Sequence, residues 1–135
     1  MKILIRLIVL TLLLGFVTAF AQPGKQKREW VLVDGENPVA DFYVDQNSIL
    51  LKNGLRRVFI LVDMKITYAD GQSSFQERIF KCDPISLRRA SYSYIEYYSG
   101  QMLAGNLLNG GYFKDENWTE VSGSDIFIVN FVCSK

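Results

Sequence analysis

The stretch LRRVFILVDMKITYADGQSSFQERIFKC, residues 55–82, decides the fold. Its first half, Leu55 to Tyr68, sets Val58, Ile60, Val62, Met64 and Ile66 on one parity, the period of two that a half-buried strand needs. Ala69-Asp70-Gly71-Gln72 follows, and Asp-Gly accepts the positive φ angles of a type I′ hairpin turn. The chain then returns from Ser73 to Cys82, with Phe75, Glu77, Ile79 and Lys81 alternating against Ser74, Gln76, Arg78, Phe80 and Cys82. Asp83-Pro84 ends the run, because proline has no N–H for the ladder. Two long strands joined by a tight turn pair antiparallel.

Working outward toward the N-terminus, the same pattern recurs in shorter pieces. Lys52-Asn53-Gly54 is a second hairpin signal, preceded by short strands at Ser48 to Leu51 and Asp41 to Asp45. Asn37-Pro38 and Asp34-Gly35 are turn signals that close a β-rich run from Glu29 to Val33. Toward the C-terminus, Leu87 to Tyr98 reads as a strand with Tyr92, Tyr94, Glu96 and Tyr98 on one parity. Gly100, Gly105, Gly110 and Gly111 read as turns and bulges, with Asn109-Gly110 a turn, since no strand–glycine–helix order of a phosphate loop surrounds them. Trp118 to Val121 is a further short strand. The last segment, Asp125 to Cys133, is ambiguous: its β-branched residues favour a strand, while Ser124-Asp125 suits a helix N-cap with an acid in the first turn. No repeat and no βαβ spacing is present, so the sheet is mostly antiparallel.

The chain has 135 residues, a formal charge of +1, no His and 2 Cys. That length suits one small domain, at residues 29–135. Without His there is no Ser-His-Asp or Cys-His catalytic set and no His-ligated zinc. Near-neutral charge argues against nucleic acid as a partner. Residues 1–21 read as a signal peptide: Lys2 and Arg6 precede an apolar run from Leu7 to Val17, and Ala19-Phe20-Ala21 forms a cleavage site. The run is shorter than the about 20 residues a membrane span needs, and no Cys follows it, so the mature protein is expected to carry no stable membrane anchor. Gln22 to Arg28 reads as a flexible polar leader. Export places Cys82 and Cys133 in an oxidising compartment, where a disulfide is the expected state. It would close a loop of about 50 residues, worth roughly 4 kcal/mol by chain entropy. The alternatives are two free thiols, or a metal site completed by carboxylates.

Two sets of residues carry the functional argument. No pair among the carboxylates from Asp41 to Asp125 stands out as a general acid and base, and no serine has a base, so no catalytic residue, metal or cofactor is assigned. Arg88, Arg89, Tyr92, Tyr94 and Tyr98 combine the side chains that supply rigid contact area at protein interfaces, and form the candidate partner-binding strand. The same tyrosines also suit a sheet face filled by cross-strand pairs. Asn117-Trp118-Thr119 matches the N-glycosylation pattern and is read as a chance match.

Trp30, Phe42-Tyr43-Val44-Asp45, Ser48-Ile49, a long strand and Cys82, followed by Arg88-Arg89, the aromatic run to Tyr98, Gly100 to Gly105, Trp118, Ser122-Gly123-Ser124 and Cys133, resemble the bacterial surface-adhesin protein E family in order and spacing. The resemblance covers most of residues 29–135. It implies an α+β fold, a single antiparallel β-sheet with a C-terminal helix at Asp125 to Cys133 tied to the sheet by a Cys82–Cys133 disulfide. It also implies an exported, non-catalytic, adhesin-like protein that binds host or envelope proteins. The chain departs from the family's lipoprotein pattern in lacking a lipidation Cys, so a soluble periplasmic structural or inhibitory module is the alternative. Open sheet edges make a homodimer a further expectation to test.

Overall fold

The structure is a computed structural model that describes residues 27–69 and 71–135. The signal-peptide reading at 1–21, most of the leader at 22–28 and Asp70 of the hairpin turn lie outside the described residues. The strands are β1 (Trp30–Asp34), β2 (Ala40–Asp45), β3 (Leu50–Lys52), β4 (Leu55–Tyr68), β5 (Gly71–Lys81), β6 (Arg89–Tyr98), β7 (Leu107–Tyr112) and β8 (Thr119–Glu120), followed by one helix, α1 (Asp125–Cys133). Short 3-10 turns occupy Gln46–Ser48, Ile85–Leu87 and Gln101–Leu103.

All strands join one antiparallel sheet in the order β1-β2-β4-β5-β6-β7. The long hairpin β4–β5 is its spine. On one side β2 and β3 lie end to end along β4, opposite Ile60–Met64 and Leu55–Arg57. On the other side β7 and β8 do the same along β6. The parity read from the sequence holds through Val58, Ile60 and Val62, all buried. It fails at Ile66, which is 57 % exposed, because the β4–β5 register shifts between Asp63 and Tyr68. Asn109-Gly110, read as a turn, lies inside β7, where Gly110 pairs with Glu96. A Cβ on Gly110 would sit 3.1 Å from the Glu96 Cγ and from the Ile95 carbonyl oxygen, so glycine serves here for close approach rather than for a turn.

The core lies between one sheet face and α1. Ala40 and Val44 of β2, Val58, Ile60 and Val62 of β4, Phe80 of β5 and Ala90 of β6 pack against Ile128, Val129 and Val132 of the helix. Burying each of these larger side chains contributes on the order of 1.5–3 kcal/mol. The ambiguous final segment is therefore a helix, as the family resemblance implied. Its apolar residues on all sides suited either structure, and the sheet's uncovered apolar face selects the one that can lie across it.

Covalent and polar ties at both ends hold α1 in place. Cys82 and Cys133 form a disulfide with Cα atoms 5.6 Å apart. Arg78 pairs with Asp125. Ser124 occupies the N-cap position, but its hydroxyl makes no cap hydrogen bond. It donates instead to Asp34 Oδ2 at 2.7 Å and accepts from Asn37 Nδ2 at 2.9 Å, which fastens the helix start to β1. The Ser124 hydroxyl holds the Asp34 carboxyl below the usual carboxylate range, with the Glu36 and Asn37 backbone N–H groups acting in the same direction against desolvation.

Candidate functional site

Opposite α1, the sheet presents a different surface. Directly paired residues share a face, so the register writes this surface out in rows. Asp63, Ser73 and Tyr98 form one row; Tyr43, Leu61, Phe75, Glu96 and Gly110 form the next; Phe59, Glu77, Tyr94 and Tyr112 form the third.

Phe75 is the centre. Its ring meets Trp30 of β1 edge-on at 6.5 Å, Phe59 of β4 at 5.0 Å and Tyr94 of β6 at 6.5 Å between centroids. Tyr94 continues the contact to Tyr112 of β7 at 4.6 Å. The result is an aromatic band from one sheet edge to the other, ending in Tyr112, which is 82 % exposed. The Arg28 guanidinium carbon lies 4.5 Å from the Phe75 centroid and 6.0 Å from that of Phe59.

The carboxylates of this face are held. Glu96 accepts hydrogen bonds from the Tyr94 and Tyr98 phenols, one on each oxygen. Those bonds, helped by desolvation and the Glu96 charge, push the Tyr94 phenol up to about 12 and raise that of Tyr98. Asp63 accepts the Met102 N–H at 2.9 Å, and Ser73 Oγ accepts the Leu103 N–H at 2.9 Å, so the 3-10 turn at Gln101–Leu103 closes over one end of the face. Asp45 accepts the Glu29 and Asn47 N–H groups at 3.0 and 3.1 Å, ordering the chain as it enters β1. Burial raises the Tyr43 phenol, with Asp41 and Asp63 adding to it. Among the described residues no cluster of three or more Cys, Asp or Glu gathers to hold a metal ion.

The five residues singled out from sequence are not brought together. Tyr94 and Tyr98 lie on the aromatic face. Tyr92 does not: the β5–β6 register passes from Glu77↔Tyr94 to Arg78↔Tyr92, leaving Ser93 as an extra residue. This β-bulge turns Tyr92 to the helix side, where Arg78 stacks on its ring at 4.5 Å and Phe113 lies 5.7 Å away. Arg88 donates to the Cys82 carbonyl at 3.0 Å and to Asn130 Oδ1 at 3.1 Å. Arg89 donates to the Arg88 carbonyl and pairs with Glu120 at 3.6 Å. Both arginines border a groove beside α1 rather than the aromatic face. Sequence reading missed Arg28, Trp30, Phe59, Phe75 and Tyr112. The available signal was the second parity of the long hairpin, on which Phe59 and Phe75 both fall.

A family model for surface-adhesin protein E matches residues 30–134. The chain belongs to that family. The matched span takes in every strand of the sheet, the disulfide and α1, and begins at Trp30, the first ring of the aromatic band. Membership of a surface-adhesin family points to an exported or cell-surface protein. No curated protein and no solved structure gives a significant match. Among the described residues no helix is long and apolar enough to cross a membrane.

Proposed function

We propose that this protein is an exported, non-catalytic, adhesin-like binding protein that engages another protein, of the host or the envelope, through the aromatic face opposite α1. The observation that carries this reading is the continuous contact from Trp30 through Phe75 and Tyr94 to the exposed Tyr112, with Phe59 packed beside Phe75. Aromatic side chains and arginine concentrate binding energy at protein interfaces, because they offer large rigid area with few rotamers to freeze. The candidate residues of this surface are Tyr94 and Tyr98 from the original set, joined by Trp30, Phe59, Phe75 and Tyr112. Arg88, Arg89 and Tyr92 lie on the helix side and are left out of this surface.

The test has two steps. Intact cells expressing the full chain are shaved with protease; loss of the protein while the outer membrane stays sealed places it outside. The purified protein is then assayed against immobilised matrix and serum proteins, with Tyr112→Ala beside the wild type. The expected result is a loss of about tenfold or more in affinity for Tyr112→Ala at unchanged thermal stability. Full protection until the outer membrane is ruptured would overturn the adhesin reading in favour of a soluble periplasmic module. Undiminished binding by Tyr112→Ala would overturn the assignment of the face.

A further inference from the structure

The aromatic face already contains a ligand-like group. Arg28 sits outside the sheet, two residues before β1 begins, and its guanidinium reaches back over Phe75 and Phe59. Among the described residues it has no ion-pair partner; the four pairs are Arg57–Glu77, Lys65–Asp41, Arg78–Asp125 and Arg89–Glu120. Its attachment to the face is through the Phe75 and Phe59 π-systems, whose negative ring faces attract a guanidinium. Its charge also reaches the Tyr98 phenol.

The surroundings suit a cation in this position. Phe75 is buried and in ring contact with Trp30, Phe59 and Tyr94, and the guanidinium lies over Phe75 and Phe59 together. The same sheet face carries Asp41, Asp45, Asp63, Glu77 and Glu96. Asp41 and Glu77 have cationic partners. Asp45 and Asp63 accept backbone N–H groups, and Glu96 accepts phenols, so their negative charge is hydrogen-bonded but not neutralised. A ring-lined surface with uncompensated carboxylates attracts positive charge.

Resting on the proposed protein-binding role of this face, we infer that it is a recognition site for an arginine side chain of the partner, and that Arg28 occupies that site in cis until the partner displaces it. A tethered occupant competes at the high effective concentration a short chain imposes. It therefore raises the threshold for a partner that presents one weak cation and leaves the site open to one that presents an arginine together with contacts to the rest of the band. Guanidinium is favoured over ammonium because its planar, weakly hydrated group stacks on a ring.

The experiment uses protein purified from cells that export it, as wild type and as Arg28→Gln, a substitution at an exposed position. The probes are blocked Gly-Arg-Gly, Gly-Lys-Gly and Gly-citrulline-Gly peptides, citrulline being the uncharged near-isostere of arginine. Binding is read from the NMR resonances of Trp30, Phe59 and Phe75. The expected result is saturable shifts of these rings in Arg28→Gln with the arginine peptide, weaker shifts with lysine and none with citrulline, and a wild-type affinity at least about fivefold lower. Absence of shifts in Arg28→Gln, an equal response to citrulline, or equal affinity of the two proteins would overturn the inference. If the peptides fail while Tyr112→Ala still weakens partner binding, only the arginine chemistry falls. If the arginine peptide binds while Tyr112→Ala leaves partner binding intact, the cation site stands and the interface assignment falls.

Discussion

The Arg78 guanidinium on β5 grips the Asp125 carboxylate in the first turn of α1 by two parallel hydrogen bonds of 2.7 and 2.9 Å. The Arg78 side chain is 2 % exposed and that of Asp125 is 25 % exposed. Burial alone would lower the Arg78 pKa; the Asp125 hydrogen bonds, Tyr92 and the Asp125 charge together outweigh it and the net shift is upward. The pair thus sits at the sheet–helix boundary, with the guanidinium further sandwiched against Tyr92 and Phe80 at 4.5 and 5.2 Å.

Removing one partner leaves the other charge buried without compensation, which is the costly half of a buried ion pair. Asp125→Ala is expected to destabilise the oxidised protein by about 2–3 kcal/mol, below the full buried-pair range because Asp125 keeps contact with water. The double variant Arg78→Met with Asp125→Ala recovers a substantial part of that loss. Urea unfolding followed by circular dichroism measures both, and a cost under about 0.5 kcal/mol for the single variant would show that the pair does not hold the helix.

The Cys82–Cys133 disulfide spans 51 residues and closes the chain from the end of β5 to the end of α1. Replacing both cysteines by serine is expected to lower stability by about 4 kcal/mol, chiefly through the larger entropy of the unfolded chain. Ile128, Val129 and Val132 keep their contacts in the variant, so helix content should persist at low denaturant and be lost at a lower midpoint. A midpoint equal to that of the oxidised wild type would contradict this account.

Tyr94 and Tyr98 give the face a pH signature. Their phenols are raised by the Glu96 hydrogen bonds, Tyr94 to about 12, against an unfolded value near 10. A raised pKa means that the folded state holds the proton more tightly, so this contribution is complete below pH 10 and declines as pH rises through the folded values. Ultraviolet titration of phenolate should show a late-titrating fraction in the wild type. Glu96→Gln should return that fraction toward 10, and an unchanged titration curve would refute the role of Glu96.

Much of the sheet was legible because its signals are local. The alternation from Val58 to Val62, the Asn53-Gly54 turn, and the break at Asp83-Pro84 each depend on a few contiguous residues. The face carrying Tyr94 and Tyr98 was legible in part for the same reason. Tyr92 was misplaced because a bulge has no sequence mark: Ser93 becomes the extra residue only when Glu77 and Arg78 of β5 fix the register beside it.

By itself, then, the sequence determined an antiparallel sheet built on one long hairpin and membership of an adhesin family, since periodicity, turn chemistry and the order of motif residues are properties of the linear chain. Tertiary structure alone decided whether Asp125 to Cys133 became helix or strand, because a segment apolar on all sides takes the form that best covers the face it meets. It also decided that Ser124 holds Asp34 rather than capping α1, and that Arg28 stacks on Phe75. Each of these depends on a neighbour distant in sequence, and no local pattern encodes which neighbour that will be.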